Sequence, residues 1–215
     1  MRRQTPQLCV DMNTRESALD VLINADMNEL DVRDYVFFDE TIEGLNISDV
    51  EISGCIFRNC KFRNCQFEGV SFNNCVFESC DLSLLYMSQG SIMRTEIKNS
   101  KVLGINLTFG IVNNVLFEST VCRFANFSEV RFTNAEFKDC DMNSASMDKC
   151  RVKQLAFSGC DLSGTNFCHT PLKSVDLRTN EINGMIFVGG ELEGAVVDTA
   201  QAIGLVKLLG VEVKD

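Results

Sequence analysis

The chain has no tryptophan and a single histidine, His169. It therefore lacks most of the equipment for general acid–base or nucleophilic catalysis, and no glycine-rich loop is present to cradle a phosphate. No apolar run is long enough to span a bilayer. Residues 1–15 carry Arg2, Arg3 and Pro6 but lack the apolar centre of a secretory signal, so the expected location is cytoplasmic. No catalytic, cofactor-binding or metal-binding residue can be nominated, and no cofactor is expected.

What the chain does have is a rhythm. From Cys55 to Leu82 a large apolar residue recurs at every fifth position: Phe57, Phe62, Phe67, Phe72, Phe77, Leu82. A period of five belongs to neither an amphipathic helix nor a half-exposed strand, and it points to a solenoid. The same phase runs unbroken from Phe37 to Val197, 33 positions, and takes in thirteen of the 16 phenylalanines. Phe117, Phe127, Phe132, Phe137, Phe157, Phe167 and Phe187 continue the series. No insertion interrupts it, so residues 37–197 read as one repeat domain between an N-terminal segment, 1–36, and a tail, 198–215.

Two residues before the large position most side chains are small, as at Cys55, Cys60, Cys65, Val70, Cys75, Cys80, Thr95, Ala125, Ala135, Cys140, Ala145, Cys150, Cys160 and Ala195, often with Asp or Asn between the two. Eight of the 11 cysteines sit in this register, where cysteine acts as a compact hydrophobe. Free thiols are expected although Cys55 and Cys75 stand at a stacking interval. Spacings of five also put neighbouring cysteines on different faces rather than in a two-residue metal knuckle.

Units such as Cys80-Asp81-Leu82 and Ala125-Asn126-Phe127 resemble the pentapeptide-repeat family. That resemblance implies an all-β fold, a right-handed quadrilateral parallel β-helix of about eight coils, with four units to a coil of twenty. Residues twenty apart would then stack at about 4.8 Å. The phenylalanines named above would fill the axis as its structural core. A filled rod has no cleft, so neither enzymatic activity nor a small-molecule substrate is expected.

The termini are read differently. Glu16–Asn24 can form a short helix with Ala18, Leu19, Leu22 and Ile23 on one side, yet Leu22, Met27 and Val32 also keep the repeat phase; both readings stand. After Asp198, a capping residue, Ala202, Ile203, Leu205, Val206, Leu208 and Leu209 recur at helical spacing, followed by Gly210. Val211 and Val213 alternate with Glu212. A helix there would cover the last coil and leave apolar surface for a second chain, which nominates Ala202, Leu205, Val206, Leu208, Leu209 and Val211 for dimerisation.

Charge is uneven. The net charge is −10, and residues 16–52 hold eleven acidic residues against one basic residue, Arg33. Residues 53–153 sum to +2. One face would carry Arg58, Glu78, Lys98, Glu118 and Lys138 as an alternating ladder. Another carries Lys61, Asp81, Lys101 and Val121 and then Asp141, Asp161 and Glu181, an acidic stripe in its C-terminal part; with Glu191, Glu193 and Asp198 these last three are the candidate partner-facing acids. Neither nucleic acid nor membrane is an expected partner, because a chain of this charge repels phosphates and its basic residues are dispersed.

The tail Gly194-Ala-Val-Val-Asp198, with Gln201-Ala202, Leu205 and Leu209-Gly210-Val211, is similar to the Qnr-type branch of the family. Members of that branch protect type II topoisomerases from quinolones. The resemblance implies a homodimer joined end to end by its last helix, a DNA mimic bound to DNA gyrase or topoisomerase IV. The alternative is a scaffold of the same fold serving an unrelated cytoplasmic protein partner, which the neutral middle and the acidic N-terminal segment favour.

Overall fold

The computed structural model describes residues 3–207 together with Glu212 and Lys214. From Val32 onward the chain winds as a parallel β-helix in which every pairing joins residues twenty apart, beginning with Val32↔Ile52 and ending with Asp176↔Val196. Regular strands occupy about six turns, Val32 to Ser158, and single bridges carry the same register to the end. The axial ladder is as the period requires: Phe37, Phe57, Phe77, Ile97, Phe117, Phe137 and Phe157 are successive Cα partners. Phe57 and Phe77 stack with centroids 4.8 Å apart, and Phe117 and Phe137 at 4.6 Å. Of the expected core only Phe187 is half-buried, packed against the cluster from its end.

Four faces make one coil. The first is centred on Phe57 and its partners, the second on Phe62 and Leu82, the third on Phe67 and Met87, the fourth on Phe72 and Ile92. On each, the residues either side of the centre point outward and the next one turns the corner. Corner residues adopt the left-handed conformation almost without exception, for instance Asn59 (φ 52°), Asn64 (52°) and Asp49 (57°). Asparagine, aspartate and glycine recur at these positions because they tolerate that conformation best.

The small register has a second duty. Cys80 Sγ donates to the Phe57 carbonyl at 3.3 Å, Cys140 to Phe117 at 3.4 Å and Cys160 to Phe137 at 3.3 Å. Thr120 and Thr165 make the same bond to Ile97 and Met142. A cysteine here is thus a compact donor as well as a compact hydrophobe, satisfying a carbonyl buried one coil below. All eleven cysteines are free, nine of them buried.

From Asp81 the second and third faces change construction, from three-residue strands to hydrogen-bonded turns. At six of these turns the residue before the centre supports the change: Asp81, Asn106, Asn126, Asp141, Asp161 and Asn166 each accept a hydrogen bond from the amide two residues on, at 2.9–3.1 Å. The fourth and first faces fuse instead into eight-residue strands, Ile111–Glu118, Arg131–Lys138 and Arg151–Ser158.

Both N-terminal readings hold in part. Helix α1 spans Ala18–Asn28, and the coil begins immediately after it at Val32. Its buried side is Ala18, Val21, Leu22 and Ala25, so Ile23, expected inward, is exposed, and Met27 leaves the repeat phase for solvent. Glu40 caps the helix by accepting the Ala18 amide at 2.8 Å. Ahead of it, residues 3–13 form a strap up the corner between the fourth and first faces. Asn13 bridges to Tyr35, the Gln7 and Gln4 amides donate to Asn74 and Asn114, and Arg3 reaches Glu96 at 3.0 Å and Glu136 at 4.0 Å. Ten residues at about 3.3 Å each span the roughly five coils, about 24 Å, that separate these partners.

Candidate functional site

With the axis filled, chemistry is confined to the outer faces. Among the described residues no group of three or more His, Cys, Asp or Glu side chains is placed to hold a metal ion. No helix of the described residues is long and apolar enough to cross a membrane. Burial pushes the Cys55 thiol up to about 11 and that of Cys150 to about 12, which sets these two against reactivity.

The acidic positions nominated from the sequence fall into three environments. Asp141, Asp161 and Glu181 are successive bridge partners on the second face, one per coil. Each gives one oxygen to the amide two residues on, at 3.1, 2.9 and 3.0 Å, and keeps the other for solvent or a partner. Arg123 lies 3.8 Å from Asp141. The stripe then meets Asp198, since Glu181 and Asp198 line one cavity of 320 Å³ beside the last helix.

Glu191 is a correction. It is 8% exposed and cannot face a partner, because the 3₁₀ turn Gly190–Leu192 folds it inward, where it accepts the His169 amide at 2.9 Å and the Gly189 amide at 2.7 Å. Burial works against its charge, but the surrounding amides outweigh it and hold the carboxyl below its ordinary pKa. Glu193 is exposed. Asp198 is committed to a reciprocal cap: it accepts the Gln201 amide at 2.8 Å while Gln201 Oε1 accepts the Asp198 amide at 3.0 Å.

That cap starts helix α2, Thr199–Lys207. Gln201 Nε2 also donates to the Leu177 and Asn180 carbonyls, both at 2.8 Å, and so ties the helix to the last coil. Leu205 packs inward on the core cluster, which removes part of its surface from any second chain. Ala202 and Val206 are half-buried, and Ile203, expected in the helix but not nominated for dimerisation, is its exposed large apolar residue at 43%. Leu208, Leu209 and Val211 lie outside the described residues.

The alternating ladder forms in part. Arg58 pairs with Glu78 at 3.0 Å and Lys138 with Glu118 at 2.6 Å, but Lys98 turns along its own strand to Glu96 at 2.7 Å, where the Arg3 strap has gathered charge. The strap itself was missed. Its signal is present: Val36, Ile56, Val76 and Leu116 put apolar side chains at an outward position of the first face, and Val36 and Leu116 are buried. Ala156, one coil beyond Arg3 and Glu136, is exposed.

The five-residue units, the twenty-residue coil and the filled axis define a pentapeptide-repeat β-helix. Family models described as "Pentapeptide repeat region" and "Pentapeptide repeats (9 copies)" match residues 113–187 and 46–84, together more than half of the chain, which belongs to the pentapeptide-repeat family. No curated protein matches the sequence. Among solved structures it is similar to trypsin-treated QnrB1, described as a plasmid-mediated fluoroquinolone resistance protein, with 22% identity over 86% of this chain and 99% of that one and a TM-score of 0.45. It is also similar to HetL from Nostoc sp. strain PCC 7120, described as involved in heterocyst differentiation regulation (13% identity, 77% and 86% of the chains, TM-score 0.36). Rfr23 from Cyanothece 51142 gives 13% identity over 83% and 98% of the chains, with a TM-score of 0.24.

Proposed function

We propose that the protein is a non-enzymatic binding rod whose acidic stripe engages the DNA-binding surface of a type II topoisomerase, gyrase or topoisomerase IV, and protects that enzyme from quinolones. The observation that carries this reading is the alignment of Asp141, Asp161 and Glu181 in consecutive coils, leading toward Asp198 at the start of α2. Carboxylates stacked at about 4.8 Å present a dense row of negative charge, as a phosphate backbone does. Two rods joined at their α2 ends would carry the row across the joint, and Ile203 gives that joint an apolar contact. The sequence similarity of the tail to the Qnr-type branch supports the same assignment. Gyrase supercoiling inhibited by a quinolone should recover as purified protein is added; no recovery across a wide concentration range rejects the reading.

The second reading, a scaffold for an unrelated protein, draws on the fourth face. The near-neutral middle arises there: between Ser71 and Lys173 its outward positions hold Arg131, Arg151, Lys153 and Lys173, the corner that follows holds Arg94, and neither holds an acidic residue.

A further inference from the structure

The basic residues that look dispersed along the sequence are gathered by the coil. Arg131 and Arg151 are Cα partners on adjacent strands, Lys153 follows on the same strand as Arg151, and Lys173 stands one coil beyond it. All four are exposed, and among the described residues none forms an ion pair. Like charges stacked across a sheet destabilise it. The first face shows the alternative the fold has to hand, with Arg58 over Glu78 and Lys138 over Glu118.

Stability is surrendered a second time at the lower end of this stack. Ile111, the Cα partner of Arg131, is 36% exposed. Beside it Phe109 occupies a left-handed corner (φ 60°), where the fold otherwise favours Asn, Asp, Gly or Ser, and exposes 57% of its surface. A bulky residue at positive φ costs free energy in the backbone, and a ring more than half exposed recovers little of it by burial. Leu84 (φ 61°) and Phe124 (φ 57°) stand exposed at corners of the second face; Phe109 differs in having exposed Ile111 beside it and the basic stack above, an apolar contact next to a row of cations.

We propose that the fourth face, from Phe109 to Lys173, is a docking surface for an acidic protein segment. An apolar side chain of that segment lies against Phe109 and Ile111, and the carboxylates that follow lie against Arg131, Arg151, Lys153 and Lys173. A protein segment fits better than nucleic acid. Of the acids on the two flanks, Glu118, Glu136 and Asp148 have Lys138, Arg3 and Lys149 beside them, while Asp139 on the first-face side and Glu129 on the third-face side have no ion pair among the described residues, so a uniformly charged polymer wider than one face meets a carboxylate on each flank. A segment with its charges only over the four cations avoids both. The proposal does not depend on the acidic stripe, which lies on the second face.

The test uses full-length protein and a short synthetic peptide, Leu-Phe followed by a run of glutamates, beside its glutamine counterpart and a DNA duplex. The glutamate peptide should bind, more weakly as salt rises, and the glutamine peptide and the duplex should not. The double variant R151E/K153E should lose about tenfold or more in affinity. Its melting temperature should hold or rise, since a stacked repulsion is removed, which separates lost binding from lost folding. Phe109→Asn should weaken binding severalfold and also raise the melting temperature. The second-face control K61E/R63E should bind as the wild type does. No binding of the glutamate peptide at low salt, equal binding by R151E/K153E, or tighter binding of the duplex overturns the proposal.

Discussion

Each residue in a coil of this kind is judged by its place in the five-residue unit. Phe127 is 1% exposed and touches the rings of Phe117, Phe132 and Phe137. Phe127→Ala should cost about 3 to 5 kcal/mol in urea unfolding, because the axial stack cannot collapse around the cavity. A negligible loss would place the side chain outside the core. The thiols give a second check: Cys9 is the exposed cysteine, Cys168 is half-exposed, and nine are buried, eight of them with donor bonds to carbonyls one coil below. A thiol reagent added to native protein should modify Cys9 quickly and Cys168 more slowly, and should reach the remainder only on unfolding. At this scale the core was legible, because a strict period needs nothing but residue size. The donor role of cysteine was not, since the sequence cannot say which carbonyl lies one coil below.

At the scale of elements the strap and α2 carry the expectations. Glu96 is half-buried; burial alone would raise its pKa, but Lys98 and Arg3 hold the carboxyl below the ordinary range. A carboxyl depressed in the folded state contributes stability that is complete above its unfolded pKa and is lost as pH falls through the depressed folded value. The strap should therefore loosen on acidification below about pH 4 while the coils persist. A fluorophore on Cys9 should report faster local motion there with unchanged far-ultraviolet dichroism. A label already as mobile at neutral pH would contradict the strap. For α2, Gln201→Ala removes half of the reciprocal cap and both bonds to the last coil, and should cost about 1 to 2 kcal/mol, read as fraying of the helix. Helix α2 was legible as far as the described residues reach, from its capping residue and spacing. The strap was not, because Arg3 and Glu136 are far apart in sequence and meet only after six coils have formed. The inward turn of Glu191 was hidden for a similar reason: its partner amides belong partly to the coil below.

At the scale of the molecule, the rod converts a nearly neutral middle into faces of opposite character. A sum over residues 53–153 hides this, because consecutive residues go to different faces while residues twenty apart are stacked. The period pointed to a solenoid, and the resemblance to the pentapeptide-repeat family supplied the β-helix with four units to a coil. Which charges would be neighbours followed from the period as well, but which of them would be consumed by backbone amides, caps and the strap did not. The account holds that all function lies on the outside of a filled column, with the acidic stripe standing in for a nucleic-acid backbone. Displacement of a labelled DNA duplex from purified gyrase, followed by fluorescence anisotropy, tests that claim most directly. The wild-type protein should displace the duplex competitively, less well as salt rises, and a variant with Asp161 and Glu181 changed to lysine should fail to do so. Duplex retained at saturating protein, or displaced equally by both, would contradict it.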